Sequence, residues 1–407
     1  MTPLSRRTVL GALAATTATG WPASAAAADT QTGVQPHPSP RPVAPVNAEV
    51  AAAHSAAYKT LPQVIVGVDV EDLMKIHTAA DAEALRPQLV AQVWKDTGVL
   101  PTGLPTLRRD VGAPAELPEL TGVRRYDRLE VAMRFGYVGT VFVVEPIQST
   151  HRRVAFYHNG HGEGLDTLQR VTQGLLDHGY TVLLFAMPFY HWNPKTLQDP
   201  ADPSVLKQPS HNDLNLWESA SYSPLALFLE PLAVAMNYVQ ATYRPSSVQM
   251  IGLSGGGWAT TIYPALDPRI TRSYPTAGSL PFFVRPGSPK PSPTRGDWEQ
   301  RQDKQPGFYG LADFPDIYAL GSIGPNRRQL QILNRFDACC FNGVGHRAYE
   351  AAVRQFHAWP AGSEEGALIL AGTARFLAAH TPTRRELSQV VRIAVRLGRG
   401  EALYQES

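Results

Sequence analysis

The sequence contains little cysteine, little charge and no runs of basic residues. Only two of its 407 residues are cysteines, so a framework of disulfides is excluded as the main source of stability. Charged residues make up 18% of the chain and the formal net charge is +2, which gives no electrostatic reason to expect nucleic acid or an anionic membrane as a partner. The chain does have a hydrophobic content of 43%, which is ample for a large globular core.

The two cysteines, Cys339 and Cys340, are neighbours in the sequence. A trans peptide places adjacent Cα atoms about 3.8 Å apart, whereas ordinary disulfides prefer roughly 4.4–6.8 Å. A bond between the two would be strained, so the sequence predicts two buried thiols. A vicinal redox disulfide is the alternative.

The first 28 residues have the pattern of an export signal rather than of a folded segment. Ser5-Arg6-Arg7-Thr8-Val9-Leu10 is a twin-arginine pattern, and an alanine-rich apolar run with small residues near positions 25 and 28 follows. This pattern predicts a bacterial Tat signal, the Tat machinery as an export partner, and a secreted or periplasmic mature protein. A Sec signal with a chance arginine pair is the alternative. The apolar run is too short and too weakly hydrophobic for a stable membrane span.

The rest of the chain divides by composition into three parts. Residues 29–47 are rich in proline and predict an extended linker. Residues 48–115 predict a helical N-terminal extension, and 116–407 the main domain, with cap-like insertions at about 187–223 and 278–326. Within that domain strands are predicted at 126–135, 139–144, 153–157, 180–186, 248–253, 270–277, 329–334 and 367–371. Helices are predicted at 166–178, 224–243, 258–265, 349–356 and from 381 onward. The apolar residues of 224–243 are spaced for one face, which predicts an amphipathic helix there.

The stretch from Val248 to Trp258 is the most informative part of the sequence. A buried strand runs to Leu253, Ser254 follows at once, and Gly252 and Gly256 stand on either side in a Gly-x-Ser-x-Gly pattern before a helix. Such a strand–turn–helix bend holds a serine at a strained backbone angle, and side chains at the flanking glycines would clash there. The pattern predicts a catalytic serine at 254. An ordinary glycine-rich turn with an incidental serine is the alternative.

Over roughly residues 120–400 the chain resembles the α/β-hydrolase family. A hairpin is followed by alternating strands and helices, and the serine stands at the bend after the fifth strand. The resemblance implies a mostly parallel central sheet flanked by helices. It also implies a triad in the order Ser, acid, His, and Asp337 and His380 occupy the family positions after the next-to-last and last strands.

Other residues compete for the two supporting roles. His357 and His346 are alternative bases, because they are the other histidines that follow Ser254. Asp297 and Glu299 in the second insertion are alternative acids. Asp337 is favoured over them because its apolar neighbours suggest a rigid strand end.

The loop after the third strand reads His158-Asn159-Gly160-His161-Gly162-Glu163-Gly164 and is similar to the His-Gly-x pattern of many esterases. By position, the resemblance implies an oxyanion hole formed by the backbone N–H groups of Gly255 and His161. Metal binding by His158, His161 and Glu163 is the alternative, but two histidines three residues apart in a loop are not a strong metal spacing. No metal, nucleotide or other cofactor is therefore expected.

These observations predict a secreted serine hydrolase that cleaves a carboxylic ester. A peptidase or amidase of the same fold and a catalytically silent binding protein are the alternatives. The expected substrate is a small or polymeric ester, and Trp192, Trp217 and Trp258 are the predicted substrate-binding side chains, with Trp298 as a further candidate. As core aromatics these tryptophans would serve equally well.

Overall fold

A computed structural model of the chain describes residues 56–115, 117, 119–149, 152–161, 164–335, 337, 340–354 and 367–372. The predicted export signal, the linker at 29–47 and the predicted last helix lie outside these residues. Within them the strands are β1 (Thr106–Arg108), β2 (Val123–Ala132), β3 (Val138–Pro146), β4 (Arg153–His158), β5 (Thr181–Phe185), β6 (Leu197–Gln198), β7 (Leu206–Lys207), β8 (Ser247–Leu253), β9 (Arg272–Thr276), β10 (Arg328–Asn334) and β11 (Ala367–Gly372).

The described α-helices lie between these strands and ahead of them. They are α1 (Val70–Leu73), α2 (Ala79–Val93), α3 (Leu165–Leu176), α4 (Leu225–Thr242), α5 (Gly255–Leu266), α6 (Pro291–Thr294), α7 (Pro306–Tyr309), α8 (Phe314–Ser322) and α9 (Glu350–Arg354). Short 3-10 turns include His211–Trp217 and Trp298–Gln300, one in each predicted insertion.

The central sheet combines an antiparallel edge with a parallel body. Nine described strands pair in the order β1-β2-β3-β5-β4-β8-β9-β10-β11. In this spatial order, the three pairs that join β1, β2, β3 and β5 are antiparallel, and the pairs that follow, from β5–β4 to β10–β11, are parallel. The predicted mostly parallel sheet flanked by helices is therefore confirmed. Because the parallel strands share one direction, the loops after β4, β5, β8, β9 and β10 all leave the same edge of the sheet.

Alternate strand residues are buried on opposite faces, as a sheet covered on both sides requires. Phe156 and Met250 belong to the larger core cluster, which also contains residues of α2, α4, α5 and α8. Tyr157 and Ile251, one position further along their strands, belong to a second cluster with α3. Strand β8, which leads to Ser254, therefore lies between two apolar layers.

The residues before the sheet are tied closely to the main domain. Helix α2 begins at a capping box in which Thr78 and Asp81 satisfy each other's backbone N–H groups. The guanidinium of Arg86 donates to the carbonyls of Ala265 and Leu320. The side chain of Asp316 accepts from two backbone N–H groups of the chain just before α2, at 2.8 and 3.0 Å.

Three local predictions differ from the structure. The alternating strand predicted to continue to Phe135 ends at Ala132, because Phe135 and Gly136 adopt positive φ angles of 59° and 65° and turn the chain. Helix α4, expected to be amphipathic, is buried around most of its circumference. Cys340 is disulfide-bonded rather than a free thiol, and Cys339 lies outside the described residues.

In the part of the chain that the structure describes, no helix combines the length and the apolar character needed to cross a bilayer.

Candidate active site

Ser254 stands at a sharp bend between β8 and α5. Its backbone angles are φ 57° and ψ −121°, a region that side chains rarely occupy. Its N–H donates to the carbonyl of Thr276 at 2.9 Å, so the bend is tied to the end of the neighbouring strand β9. Ser254 is partly exposed, whereas the residues that follow it in α5 are buried. This arrangement presents one side chain at the carboxyl edge of the sheet and encloses the backbone around it.

The glycines around Ser254 are required by close backbone approaches. A Cβ added at Gly252 would lie 2.2 Å from the carbonyl oxygen of Gly256, and one at Gly256 would lie 2.0 Å from the carbonyl oxygen of His158. These contacts are with backbone atoms, which cannot move aside as a flexible side chain would. The sequence-based explanation of the glycines therefore agrees with the packing.

The loop after β4 lies directly against the bend. A Cβ at Gly160 would be 3.0 Å from the Cβ of Ser254. A Cβ at Gly255 would be 2.5 Å from the imidazole of His161. The two residues predicted to form the oxyanion hole, Gly255 and His161, are thus brought together beside Ser254. Their roles as N–H donors to a substrate remain a prediction.

The side chain of His161 belongs to a group that we call the His–Glu cluster, formed by His161, His211 and Glu299. Nε2 of His161 lies 2.9 Å from Nδ1 of His211 and 3.3 Å from Oε1 of Glu299. Nδ1 of His211 lies 3.2 Å from Oε2 of Glu299. Outside the cluster, Nδ1 of His161 lies 3.3 Å from Oδ2 of Asp297. Both ring nitrogens of His161 therefore have partners other than Ser254.

The charges of this cluster oppose the effect of burial. Burial alone would raise the pKa of Glu299, which is fully buried, but the charges and close contacts of His161 and His211 lower the pKa well below its usual range. Burial alone would lower the pKa of His161, but the charges of Glu299 and Asp297 raise it. The site therefore favours an ionised carboxylate in contact with positive charge.

Asp337 follows β10 at the same edge of the sheet and is only 7% exposed. Its Oδ1 accepts from the backbone N–H of Cys340 at 3.0 Å. His380, the predicted base, and His357, its first alternative, lie outside the described residues. His346, the second alternative, is buried, and burial together with nearby arginines lowers its pKa to about 4.

The predicted substrate-binding tryptophans differ in exposure. Trp258 is fully buried and donates its indole N–H to the hydroxyl of Tyr309 at 2.8 Å. Trp217 is 2% exposed and donates to the carbonyl of Gln198. Burial of this kind favours a packing role for both. Trp192 is only partly buried, and its ring packs against Phe142. Trp298, like Trp258, is fully buried.

His211 is the residue of this site that the sequence analysis did not identify. It lies in the 3-10 turn of the first insertion, 50 residues from His161 and 88 from Glu299. The metal argument from the sequence concerned His158, His161 and Glu163. In the structure Nδ1 of His158 contacts the carbonyl of Asn159 at 2.9 Å instead. The available signal was chemical: a histidine and two acids occur in the two insertions that were predicted to be cap-like.

No protein-family model matches the chain, and no curated protein matches its sequence. Solved structures are similar in fold. The methylesterase BT1017 is 13% identical with a TM-score of 0.52, covering 80% of this chain and 66% of that one. A CE15 glucuronoyl esterase from Teredinibacter turnerae is 13% identical with a TM-score of 0.49, covering 84% and 90%. An acetyl xylan esterase from Paenibacillus sp. is 16% identical with a TM-score of 0.47, covering 78% and 92%.

The likeness to the methylesterase concerns the fold, and the chain spans about two thirds of that protein's length. The sheet begins with antiparallel strands and continues as a parallel body, and a serine stands at the strained bend between β8 and α5. With these features, the chain has the α/β-hydrolase fold.

Proposed function

We propose that this chain is an exported serine hydrolase that cleaves a carboxylic ester through an acyl-enzyme on Ser254. The observation that supports the proposal best is the backbone of Ser254, with φ 57° and ψ −121° between a parallel strand and a helix. A residue in such a region costs roughly 1–3 kcal/mol and persists only where the surroundings impose it. In this fold a serine at that position presents its hydroxyl to a substrate.

Each step of the reaction has a proposed residue. The hydroxyl of Ser254 attacks the ester carbonyl carbon while His380 takes its proton, and Asp337 holds the imidazole of His380 in the required tautomer. The N–H groups of Gly255 and His161 stabilise the negative oxygen of the tetrahedral intermediate. His380 then gives the proton to the departing alkoxide. Water, deprotonated by His380, releases the acid and restores the hydroxyl of Ser254.

Two features of the described residues support this arrangement. Gly255 opens helix α5, so its N–H has no partner within the helix and is available to an anion. Gly160 approaches Ser254 so closely that the next N–H, that of His161, belongs to the same small region. Trp192 is the tryptophan that we retain as a substrate contact, because it is the least buried of the three.

The bond class is proposed from the chemistry of the site and the fold. The similar structure is named a methylesterase, and we propose a carboxylic ester, small or polymeric, for this chain as well. At 13% identity the acyl and alcohol groups are not carried over.

The test is hydrolysis of a chain-length series of p-nitrophenyl esters by the mature protein. Ser254→Ala and His380→Ala should each lower kcat by roughly 10⁴–10⁶-fold, because serine and histidine act as one unit. Asp337→Asn should lower it by roughly 10⁴-fold. Ser221→Ala, an exposed serine in the first insertion, is the matched control and should keep full activity.

A fluorophosphonate probe separates the other outcomes. Labelling that is lost only in Ser254→Ala, with no hydrolysis of any ester, would move the proposal to amide substrates. Absence of labelling in the wild type would overturn the enzyme and favour a binding protein. An active His380→Ala variant would transfer the role of base to His357 or His346.

We also propose export by the Tat route, on the strength of the Arg6-Arg7 pair before the apolar run. A variant with both arginines changed to lysine should leave the unprocessed chain in the cytoplasm, as cell fractionation would reveal. Unchanged export of that variant would favour the Sec alternative.

A further inference from the structure

Two ring nitrogens and the carboxylate of the His–Glu cluster form a small triangle. Nε2 of His161 and Nδ1 of His211 lie 2.9 Å apart, the first lies 3.3 Å from Oε1 of Glu299, and the second lies 3.2 Å from Oε2. Zinc bonds of roughly 2.0–2.2 Å at tetrahedral angles place neighbouring donor atoms about 3.3–3.6 Å apart. The triangle therefore needs little expansion to hold such an ion, and its donor atoms all lie within 4.8 Å of one another.

The outer nitrogen of each histidine already has an oxygen acceptor. Nε2 of His211 lies 3.0 Å from the carbonyl oxygen of Pro188, which can only accept a hydrogen bond. Nδ1 of His161 lies 3.3 Å from Oδ2 of Asp297. Metal binding would release any extra proton from the imidazoles. Each neutral imidazole can then donate its single N–H to its outer oxygen, which leaves the lone pairs of the two inner nitrogens free to bind the ion. This is the usual pattern of histidines that bind a metal.

Glu299 supplies an independent observation. It is fully buried, yet its Oε1 has no hydrogen-bond partner of acceptable geometry within the described residues. A buried carboxylate oxygen without such a partner is costly. This oxygen lies 3.3 Å from Nε2 of His161, so a cation bound between the carboxylate and the inner nitrogens would give it a partner.

We propose that His161, His211 and Glu299 bind one Zn²⁺ ion beside the catalytic bend. Two imidazoles and one carboxylate are donors that suit zinc. Three protein ligands leave one position of a tetrahedral ion for a water molecule. The rings of Tyr190 and Phe228 pack edge-on against the imidazole of His211 at 5.6 and 4.8 Å and give the site an apolar wall.

The proposed ion would join three loops at the carboxyl edge of the sheet. His161 comes from the loop after β4, His211 from the insertion after β5, and Glu299 from the insertion after β9. Because the imidazole of His161 lies over Gly255, the same ion would fix the position of the predicted oxyanion loop. Its role is therefore a clamp on the cap insertions, and it lies beyond the ester chemistry proposed above.

The experiment uses the untagged mature protein, stripped with dipicolinate and then titrated with ZnCl₂ or CoCl₂. Bound metal is measured by mass spectrometry of the digested protein, and Co²⁺ is followed by its visible absorption, which is intense for tetrahedral coordination. We expect one equivalent of Zn²⁺. Asp297→Asn keeps all three ligands and removes only the negative charge of an outer acceptor, so affinity should fall roughly 10–100-fold. His211→Ala and Glu299→Gln should each weaken binding further than that.

His178→Gln is the matched control, since this histidine lies beyond the end of α3 and contacts Gly174. It should bind zinc as the wild type does. The proposal is overturned if the stripped wild type binds no stoichiometric zinc, in which case an extra proton occupies the triangle. It is also overturned if all variants bind equally. Neither readout depends on ester hydrolysis, so the result stands whether or not Ser254→Ala proves inactive.

Discussion

Two glutamates in different parts of the molecule, Glu299 fully buried and Glu230 partly buried, are held in opposite states. Glu299 is enclosed by two imidazoles, and their charges lower its pKa well below the usual range. Glu230 lies on helix α4 at the wall of a cavity of about 280 Å³. There burial raises its pKa to about 7, with a smaller contribution from Asp96. Loss of contact with water raises the pKa of both carboxyl groups, and the nearby charges make the difference.

The state of Glu230 follows mainly from its removal from water, whereas the state of Glu299 depends on charged partners that the fold brings to it. Burial alone favours the neutral acid, as at Glu230. Keeping a carboxylate charged in the interior needs partners brought from distant segments, as at Glu299. Such an arrangement contributes little net stability and is typical of functional sites. The imidazole of His161, which contacts Glu299, also lies against Gly255.

Removing the carboxylate of Glu299 should have the largest effect on this comparison. We expect Glu299→Ala to lower the free energy of unfolding by about 3–5 kcal/mol, because it leaves the buried His161 without its charge partner. The free energy would be measured by urea unfolding in the presence of a chelator, so that no bound metal contributes.

Glu83→Ala is the control for this measurement. Glu83 is exposed on α2, and its substitution should change the free energy by no more than about 0.5 kcal/mol. A loss of less than about 1 kcal/mol in Glu299→Ala would show that Glu299 and Glu230 do not differ in the way described.

Glu230 should give a smaller effect of opposite sign. Its folded pKa of about 7 exceeds that of an unfolded glutamate, near 4.3, so its favourable contribution is present below about pH 4 and is lost as the pH rises through 7. Glu230→Gln should therefore be more stable than the wild type at pH 8 by about 1–3 kcal/mol, with little difference at pH 4.5.

Urea unfolding at the two pH values would check this expectation, with Glu83→Gln as the exposed control. An equal effect of Glu230→Gln at both values would mean that the side chain does not titrate between them. In that case the contrast with Glu299 would rest on packing alone.

Most of the sheet could be predicted because its signals are local. Apolar runs and turn residues predicted the bounds of β3, β4, β5 and β8 to within a few residues of the observed ones. Strand β1 was not predicted, since three residues with an exposed, partly buried, exposed pattern give no periodic signal. Helix α5 begins at Gly255, three residues earlier than predicted, because glycine is a poor helix former and only the tertiary contacts make it helical there.

The candidate site also has one part with a local sequence signal and one part without it. The residues that form the bend at Ser254 are consecutive, so its strand, its turn and its glycines could all be predicted from the sequence. The His–Glu cluster is assembled from segments 50 and 88 residues apart, and no spacing rule joins them. Glu299 was considered as an alternative acid, but its partner His211 lies in an insertion without periodicity, where only the folded chain shows which side chains meet.

The short strand β1 has a consequence for how the molecule behaves in concentrated solution. A free edge of the ten-residue strand β2 would offer unpaired N–H and C=O groups to a second copy. Three residues of β1 and the N–H of Val111, which donates to the carbonyl of Tyr126 at 2.9 Å, cover much of that edge. Arg108 pairs with Glu130 across it. The short strand β1 and this ion pair therefore hinder the addition of a strand from a second copy at this edge.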